Sequence, residues 1–399
     1  VQFVRGEGVW LYDEKGAAYL DAYNNVPSVG HCHPRVVEAI RRQAGELNTH
    51  TRYLHPGILD YSEMLLATLP AELGQVMYTC TGSEANDLAV RVARQFTGGT
   101  GFIVTSLAYH GVTDTVAGMS PSLGAHVVPG PHVRTVPAPR GAGRAGDEVG
   151  EAFADGVEAA LRDMAREGIK PAALLVDTIF SSDGVFADPA GFLAPAVAAI
   201  RRAGGVFIAD EVQPGFGRTG DAMWGFQRHS VVPDIVTMGK PMGNGYPVAA
   251  MVAKPEVLAP FGEQCRYFNT FGGTPVAMAA ARAVLEVIAE EGLQARALDT
   301  GRYLRRALDA LSEKFEVIGE VRGAGLFIGV ELVVDRTSRT PASELTSRLV
   351  NELRRRRVLI SASGPHANVL KIRPPLPFGR PEADVLMGEL EASLAVLQA

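Results

Sequence analysis

The chain has 399 residues, of which 47% are hydrophobic and 21% charged, with a net charge of -6 and a pI near 5.9. That is the make-up of a soluble globular protein with room for one large domain and a smaller one, and it lacks the basic surface that nucleic acid or an anionic membrane would demand. No stretch approaches the roughly 18 uncharged apolar residues of a membrane span, and the start, VQFVRGEGVW, lacks the pattern of a secretory leader, so the expectation is a cytoplasmic protein without nucleic-acid or membrane partners.

In chain order, the opening GVWLYDEKGAAYLDAY alternates around a turn at Glu14-Lys15-Gly16 and predicts a small antiparallel hairpin. HCHP follows, with Cys32 between His31 and His33. No CxxC or HExxH accompanies it and the other cysteines, Cys80 and Cys265, are far away, so loop histidines, reduced thiols and no metal are expected. YTCTGSEANDLAVRVARQF runs from a Thr-Gly-Ser turn into an amphipathic helix. GFIVTS (101–106) reads as a strand and leads into the loop SLAYHG, while the Pro-, Gly- and Arg-rich stretch 128–150 predicts an excursion over the surface near the mouth of the site.

Strands are then predicted at AALLVD (172–177), GVFIAD (205–210), DIVTMG (234–239) and VAAMVA (248–253), with a helix in GFLAPAVAAIRRAGG between the first two. This alternation is the pattern of an α/β protein whose helices cover a largely parallel sheet. Toward the end, helical ALDTGRYLRRALDALSEKF, strand-like LFIGVELVV, helical ASELTSRLVNELRRRR and a short strand around VLKIR predict a second, mixed domain.

Lys240 follows an apolar run and precedes a glycine-rich turn. A P-loop would need Gly where Asp234 stands and Ser or Thr in place of Pro241, so that reading fails. A buried lysine can instead form a Schiff base with an aldehyde cofactor, and the chain has only six lysines: Lys15, Lys170, Lys240, Lys254, Lys314 and Lys371. If the cofactor is pyridoxal phosphate, a carboxylate for the ring nitrogen, a phosphate cradle and a face for the ring are also needed. Asp210, at a strand end, supplies the acid, or else caps a helix. The turn before ANDLAV supplies an anion site at a helix start with the Ser83 hydroxyl, or Ser83 is simply the N-cap. Tyr109 stacks on a ring or belongs to the core. Gly215, Gly217 and Gly220 have dinucleotide-fingerprint spacing, without a strand directly before or a well-formed helix after them.

CTGSEAND, AYHG, ADEVQPGFGRTG, TMGKPMGNGYP and FNTFGGTPVAM, in this order, resemble the class III aminotransferases, fold-type-I pyridoxal-5'-phosphate enzymes, over about Gly6 to Pro377. The resemblance implies a mostly parallel seven-stranded sheet with helices on both faces in a large domain (46–290), and a smaller α+β domain built from 1–45 and 291–399. It implies that Lys240 carries the cofactor, Asp210 meets the pyridinium nitrogen, Gly82 and Ser83 bind the phosphate, and Tyr109 stacks on the ring with His110 nearby. Asp177 stands where the family usually has glutamate, Gln213 approaches the ring hydroxyl, and Thr270 reaches the phosphate of a neighbouring subunit, which implies a homodimer with the active site at its interface.

YNNVPSVGHCHP, NTHTRYLHPG and GPHANVLKI are most similar to the branch containing alanine-glyoxylate aminotransferase 2-like phospho-lyases. Lys371 fills a place where many α-carboxylate-binding members carry Arg, and Tyr53 with Lys371 are the substrate-side candidates. The leading expectation is amino transfer from a primary amine or ω-amino acid to a keto acid or aldehyde. Phosphate elimination from an amino-alkyl phosphate is the alternative, and a nicotinamide oxidoreductase built on Gly215, Gly217 and Gly220 or a noncatalytic member are the outside readings.

Overall fold

The computed structural model describes residues 1–141 and 145–398. The chain opens with β1 (Phe3–Glu7), β2 (Trp10–Asp13) and β3 (Ala18–Asp21), the last two joined across the predicted turn at Glu14–Gly16. α1 (Pro34–Glu46) and α2 (Pro56–Leu66) follow; each begins with proline at its first helical position, where the missing N–H costs nothing. His33 and His55 cap these helices through their rings, so His33 of HCHP serves as an N-cap, while His31 contacts Asp21 at 2.7 Å.

The large sheet is made of β4 (Gln75–Thr79), β5 (Gly101–Thr105), β6 (Val133–Val136), β7 (Pro171–Asp177), β8 (Val206–Asp210), β9 (Ile235–Met238) and β10 (Ala249–Ala253), in the spatial order β4-β10-β9-β8-β7-β5-β6. Only β10 runs against its neighbours. The helices woven between are α3 (Gly82–Thr97), α4 (Asp114–Ala117), α5 (Gly146–Arg166), α6 (Ala194–Arg202), α7 (Pro255–Gln264) and α8 (Pro275–Glu290). Alternation along the strands divides the core in two. Phe102 and Val104 pack with Leu88 and Val92 of α3 and Phe261 of α7, while Ile103, Leu174 and Phe207 pack on the other face with Phe153 and Val157 of α5. Apolar side chains are therefore needed at successive positions, which is why these strands read as unbroken hydrophobic runs.

Two strands of this sheet went unread in the sequence. β4 is short and only partly buried. β6 lies within 128–150, so that stretch is not wholly a surface excursion: Val133 and Val136 are buried and pair in parallel with β5. Residues 142–144 of the same stretch lie outside the described residues.

The C-terminal part contains α9 (Leu293–Lys314), β11 (Ile318–Ala324), β12 (Phe327–Leu332), α10 (Ser343–Arg355), β13 (Val358–Leu359), β14 (Ser361–Ser363), β15 (Val369–Ile372) and α11 (Arg380–Gln398). β11, β12, β15 and β14 form one small sheet. β13 instead pairs with β3, Val358 opposite Leu20, so the two ends of the chain share a sheet. The glycines at 215, 217 and 220 do not open a helix. They lie in a turn in which Gly215 packs on Trp224 while Gly217 and Gly220 pack on α9, Gly220 against the backbone of Leu298, which removes the basis for the dinucleotide reading.

α9 seats on the β11–β12 turn through Gly301, where a Cβ would meet Gly325 O at 2.2 Å. Gly301→Ala is predicted to lower stability by about 1–3 kcal/mol through overpacking. Urea unfolding should show a lower midpoint, and an unchanged one would mean that this contact is looser than described.

Candidate active site

At the carboxyl ends of the central strands, β7 ends in Asp177 and β8 in Asp210, directly opposite one another in register. Lys240 lies two residues past the end of β9, and the start of α3 approaches from the side. Crevices at such strand ends are where open α/β sheets bind ligands, because the loops there are free to diverge. A cavity of about 150 Å³ opens here, and Gly82, Ser83, Tyr109, His110, Asp177, Asp210, Gln213 and Lys240 all line it.

The α3 end of the cavity is built by a capping box. Thr81, not Ser83, is the N-cap; its hydroxyl accepts from Glu84 N, and the Glu84 carboxylate accepts from the amides of Cys80 and Thr81. Gly82 and Ser83 are thereby left as the unpaired amides of the first turn among the described residues, aided by the positive end of a 16-residue helix. The Ser83 hydroxyl accepts from Val112 N at 3.1 Å. Gly111 makes this approach possible, since a Cβ there would come within 2.5 Å of Ser83 Oγ.

Asp210 is buried and held by several donors. Asn86 Nδ2 donates to Oδ2 at 2.9 Å, His110 Nδ1 lies 2.7 Å from the same oxygen, and Val212 N donates to Oδ1 at 3.1 Å. Thr237 in turn donates to Asn86 Oδ1 at 2.6 Å. His110 Nε2 is buried without a partner among the described residues. Asp177 accepts from the amides of Ile179 and Ser181, and burial raises its pKa, reinforced by the charge of Asp210.

Lys240 faces these acids. Its φ of +32° lies in a region that costs a non-glycine residue of order 1–3 kcal/mol, a strain that persists only where the surroundings impose it. No hydrogen bond accounts for its ionisation: burial lowers its pKa, Arg373 lowers it further, and Asp210 and Asp177 oppose them. Nζ stands 5.8 Å from the centroid of the Tyr109 ring, which is 37% exposed and so belongs to the cavity wall more than to the core.

Lys371 and Arg373 occupy alternate positions at the end of β15 and so share a face. Both are buried, and each lies within electrostatic range of Lys240 and Asp177. Burial first, and Arg373 second, push Lys371 down to about 7. Arg373 Nη1 donates to Asn25 Oδ1 and Gln213 Oε1, its Nε is buried without a partner, and its guanidinium lies 4.5 Å from the Tyr23 ring centroid.

Pyridoxal phosphate fits this set. Lys240 is a half-buried amine of lowered basicity, free amides at a helix start suit a phosphate, Asp210 is a carboxylate fixed by donors, and Tyr109 offers an aromatic face. Three expected contacts are not in the lining of this cavity: Thr270, Tyr53 and Lys371, the last buried on β15 within electrostatic range of Lys240. Thr270 is exposed on the segment before α8, and Tyr53 is 66% exposed beside His50, with ring centroids 4.8 Å apart. Asn86, Asn25, Tyr23 and Arg373 are additions that the sequence reading missed. Asn86 is three residues beyond Ser83 on one helix, and Arg373 two beyond Lys371, so face-sharing was the signal available for both.

The class III aminotransferase family model matches residues 1–394. An alanine–glyoxylate aminotransferase 2-like protein of Drosophila melanogaster is 42% identical, over 100% of this chain and 83% of its own length. An ethanolamine-phosphate phospho-lyase homolog of Caenorhabditis elegans is 40% identical, over 92% of this chain and 83% of its own. A solved phospholyase from Arthrobacter in complex with phosphoethanolamine superposes with a TM-score of 0.95 at 45% identity, covering 99% of this chain and 94% of that one. The chain belongs to the class III aminotransferase family and is a fold-type-I, pyridoxal-5'-phosphate-dependent enzyme.

Proposed function

We propose that this enzyme eliminates phosphate from a small amino-alkyl phosphate such as phosphoethanolamine. The observation that carries the reading is a pair of buried cations, Lys371 on β15 and Arg373 just after it, which lie within electrostatic range of Lys240. Two buried cations beside a lysine of lowered basicity are only partly offset by Asp177 and Asp210, and a doubly charged phosphate offsets the remaining cost better than a single carboxylate.

In this reading Lys240 would hold the cofactor through its aldehyde and, with a substrate amine in that place, would move the proton from the carbon beside the amine to the neighbouring carbon that loses phosphate. Its lowered pKa keeps a fraction of the amine neutral and able to do so. Asp210, fixed by Asn86 and His110, holds the proton on the ring nitrogen. Gly82 and Ser83 receive the cofactor phosphate, Tyr109 covers one ring face, and Gln213 serves the ring hydroxyl. When bound, the cofactor would supply the electron sink that lets this proton be removed. Lys371 receives the substrate phosphate and neutralises it as the C–O bond breaks and phosphate departs with the bonding pair. Water then completes the reaction to an aldehyde, ammonia and phosphate.

Amino transfer from a primary amine or ω-amino acid is the second reading. It uses the same Lys240 and Asp210, and the likeness to the alanine–glyoxylate aminotransferase 2-like protein favours it. The two readings part on what happens without an acceptor. Cofactor-loaded enzyme given phosphoethanolamine alone is predicted to turn over continuously, releasing inorganic phosphate and acetaldehyde in equal amounts. A single stoichiometric conversion to pyridoxamine phosphate, with phosphate retained on the substrate, would instead establish transfer.

Lys371 gives that assay a pH signature. The lysine must be protonated to receive the anion, and in the free enzyme it loses its proton near pH 7, so kcat/KM for phosphoethanolamine should fall as pH rises through that point. Lys371→Met is predicted to raise KM by about 10- to 100-fold, as expected for losing a charge-assisted contact. Its stability should shift too. Between pH 7 and 10 the unfolded chain holds the Lys371 proton more than the folded one does, so wild-type stability gains up to about 1.4 kcal/mol per pH unit from this group, a gain that Lys371→Met should lack. A KM and a stability slope unchanged by the substitution would remove Lys371 from the substrate site.

A further inference from the structure

Arg373 Nη1 donates to Asn25 Oδ1 at 3.0 Å and to Gln213 Oε1 at 2.7 Å, and Asn25 Nδ2 donates to the same Gln213 oxygen at 2.8 Å. Asn25 is 1% exposed and Arg373 8%. A guanidinium carries donors only, so the atoms that face it must be the amide oxygens. The orientation of both amides is thus dictated by chemistry. With Oε1 held by two donors, Nε2 is the polar end of Gln213 left without a partner among the described residues, on a side chain that lines the cavity with Lys240 and Asp210.

We propose that Arg373 and Asn25 are positioning residues that clamp the Gln213 amide so that the cofactor's ring hydroxyl meets a donor and never an acceptor. The inference rests on the reading of Gln213 given under Proposed function. A donor stabilises negative charge on the ring oxygen and weakens that oxygen's hold on the proton shared with the nitrogen linking cofactor to Lys240, so the link gives up its proton at lower pH. An amide turned the other way would point its own oxygen at the ring oxygen, and the proton would be retained to higher pH. The clamp spans the N-terminal segment after β3, the loop after β8 and the residue following β15, three parts of the chain that meet only in the folded enzyme.

The charged groups within reach of Lys240 are Arg373 beyond β15, Lys371 on β15, Asp210 on β8 and Asp177 on β7. The test must separate the clamp from these charges. Asn25→Asp keeps the shape and the acceptor for Arg373 but sets a second acceptor against Gln213 Oε1, which drives the amide to turn. Arg373→Lys keeps the charge and loses the planar fork. Each is made in the wild-type and Gln213→Leu backgrounds, and the pH midpoint of the visible band of bound cofactor is followed in substrate-free holoenzyme.

Gln213→Leu should raise the midpoint by about one pH unit, the size of one net hydrogen bond. Asn25→Asp and Arg373→Lys should each raise it in the wild-type background by about one unit more than in the Gln213→Leu background, because without the amide only their electrostatic effect remains. Equal shifts in the two backgrounds would overturn the clamp while leaving Gln213 at the ring. An unmoved midpoint in Gln213→Leu would overturn that placement of Gln213, and the clamp with it.

Discussion

An amine set beside two carboxylates, with no hydrogen bond of its own among the described residues and a strained backbone beneath it, is the feature around which this structure is arranged. Water would solvate the Lys240 ammonium; the cavity does so poorly, and Arg373 adds a repulsion that Asp210 and Asp177 only partly offset. The result is a lysine that gives up its proton more readily than an exposed one and stays nucleophilic. Positive φ at Lys240 is tolerated because the strand before it and the turn after it fix both ends of the residue.

The sheet explains why such a site can exist. The central strands, buried on both faces, make a rigid floor, and the ends of β7, β8 and β9 bring Asp177, Asp210 and Lys240 to one level without long loops. α3 starts at the same level with its amides turned to the cavity, its geometry set by the Thr81–Glu84 box. The remaining wall comes from afar in sequence. Asn25 follows the first hairpin, and Lys371 and Arg373 end a strand of the small sheet, so the cavity closes only when the two ends of the chain are seated against the large sheet.

The parts legible in sequence were those with local causes. Fully buried strands announce themselves as apolar runs, which located β5, β7, β8, β9 and β10. The glycine-rich turn after Lys240 and the Thr-Gly-Ser turn before α3 marked the two sides of the cavity. What escaped depended on distant contacts. β6 is four residues inside a Pro- and Gly-rich stretch and is a strand because β5 offers it an edge. The cap fell to Thr81, since Glu84 three residues on completes a box that Ser83 cannot form. Asn86 and Arg373 look like ordinary helix and strand-end polar residues until Asp210 and Gln213 arrive from the rest of the chain. The family resemblance supplied the remaining site residues, and the cavity gathers all but Thr270, Tyr53 and Lys371 along its lining.

Two lysines of lowered basicity, half-buried Lys240 and buried Lys371, occupy the same region, and we propose covalent chemistry for the first and anion binding for the second. Reduction of the holoenzyme with borohydride, followed by peptide mapping, separates these roles directly. The account predicts a pyridoxyl group on Lys240 and an unmodified Lys371; finding the group on Lys371, on any other lysine, or on none would contradict it.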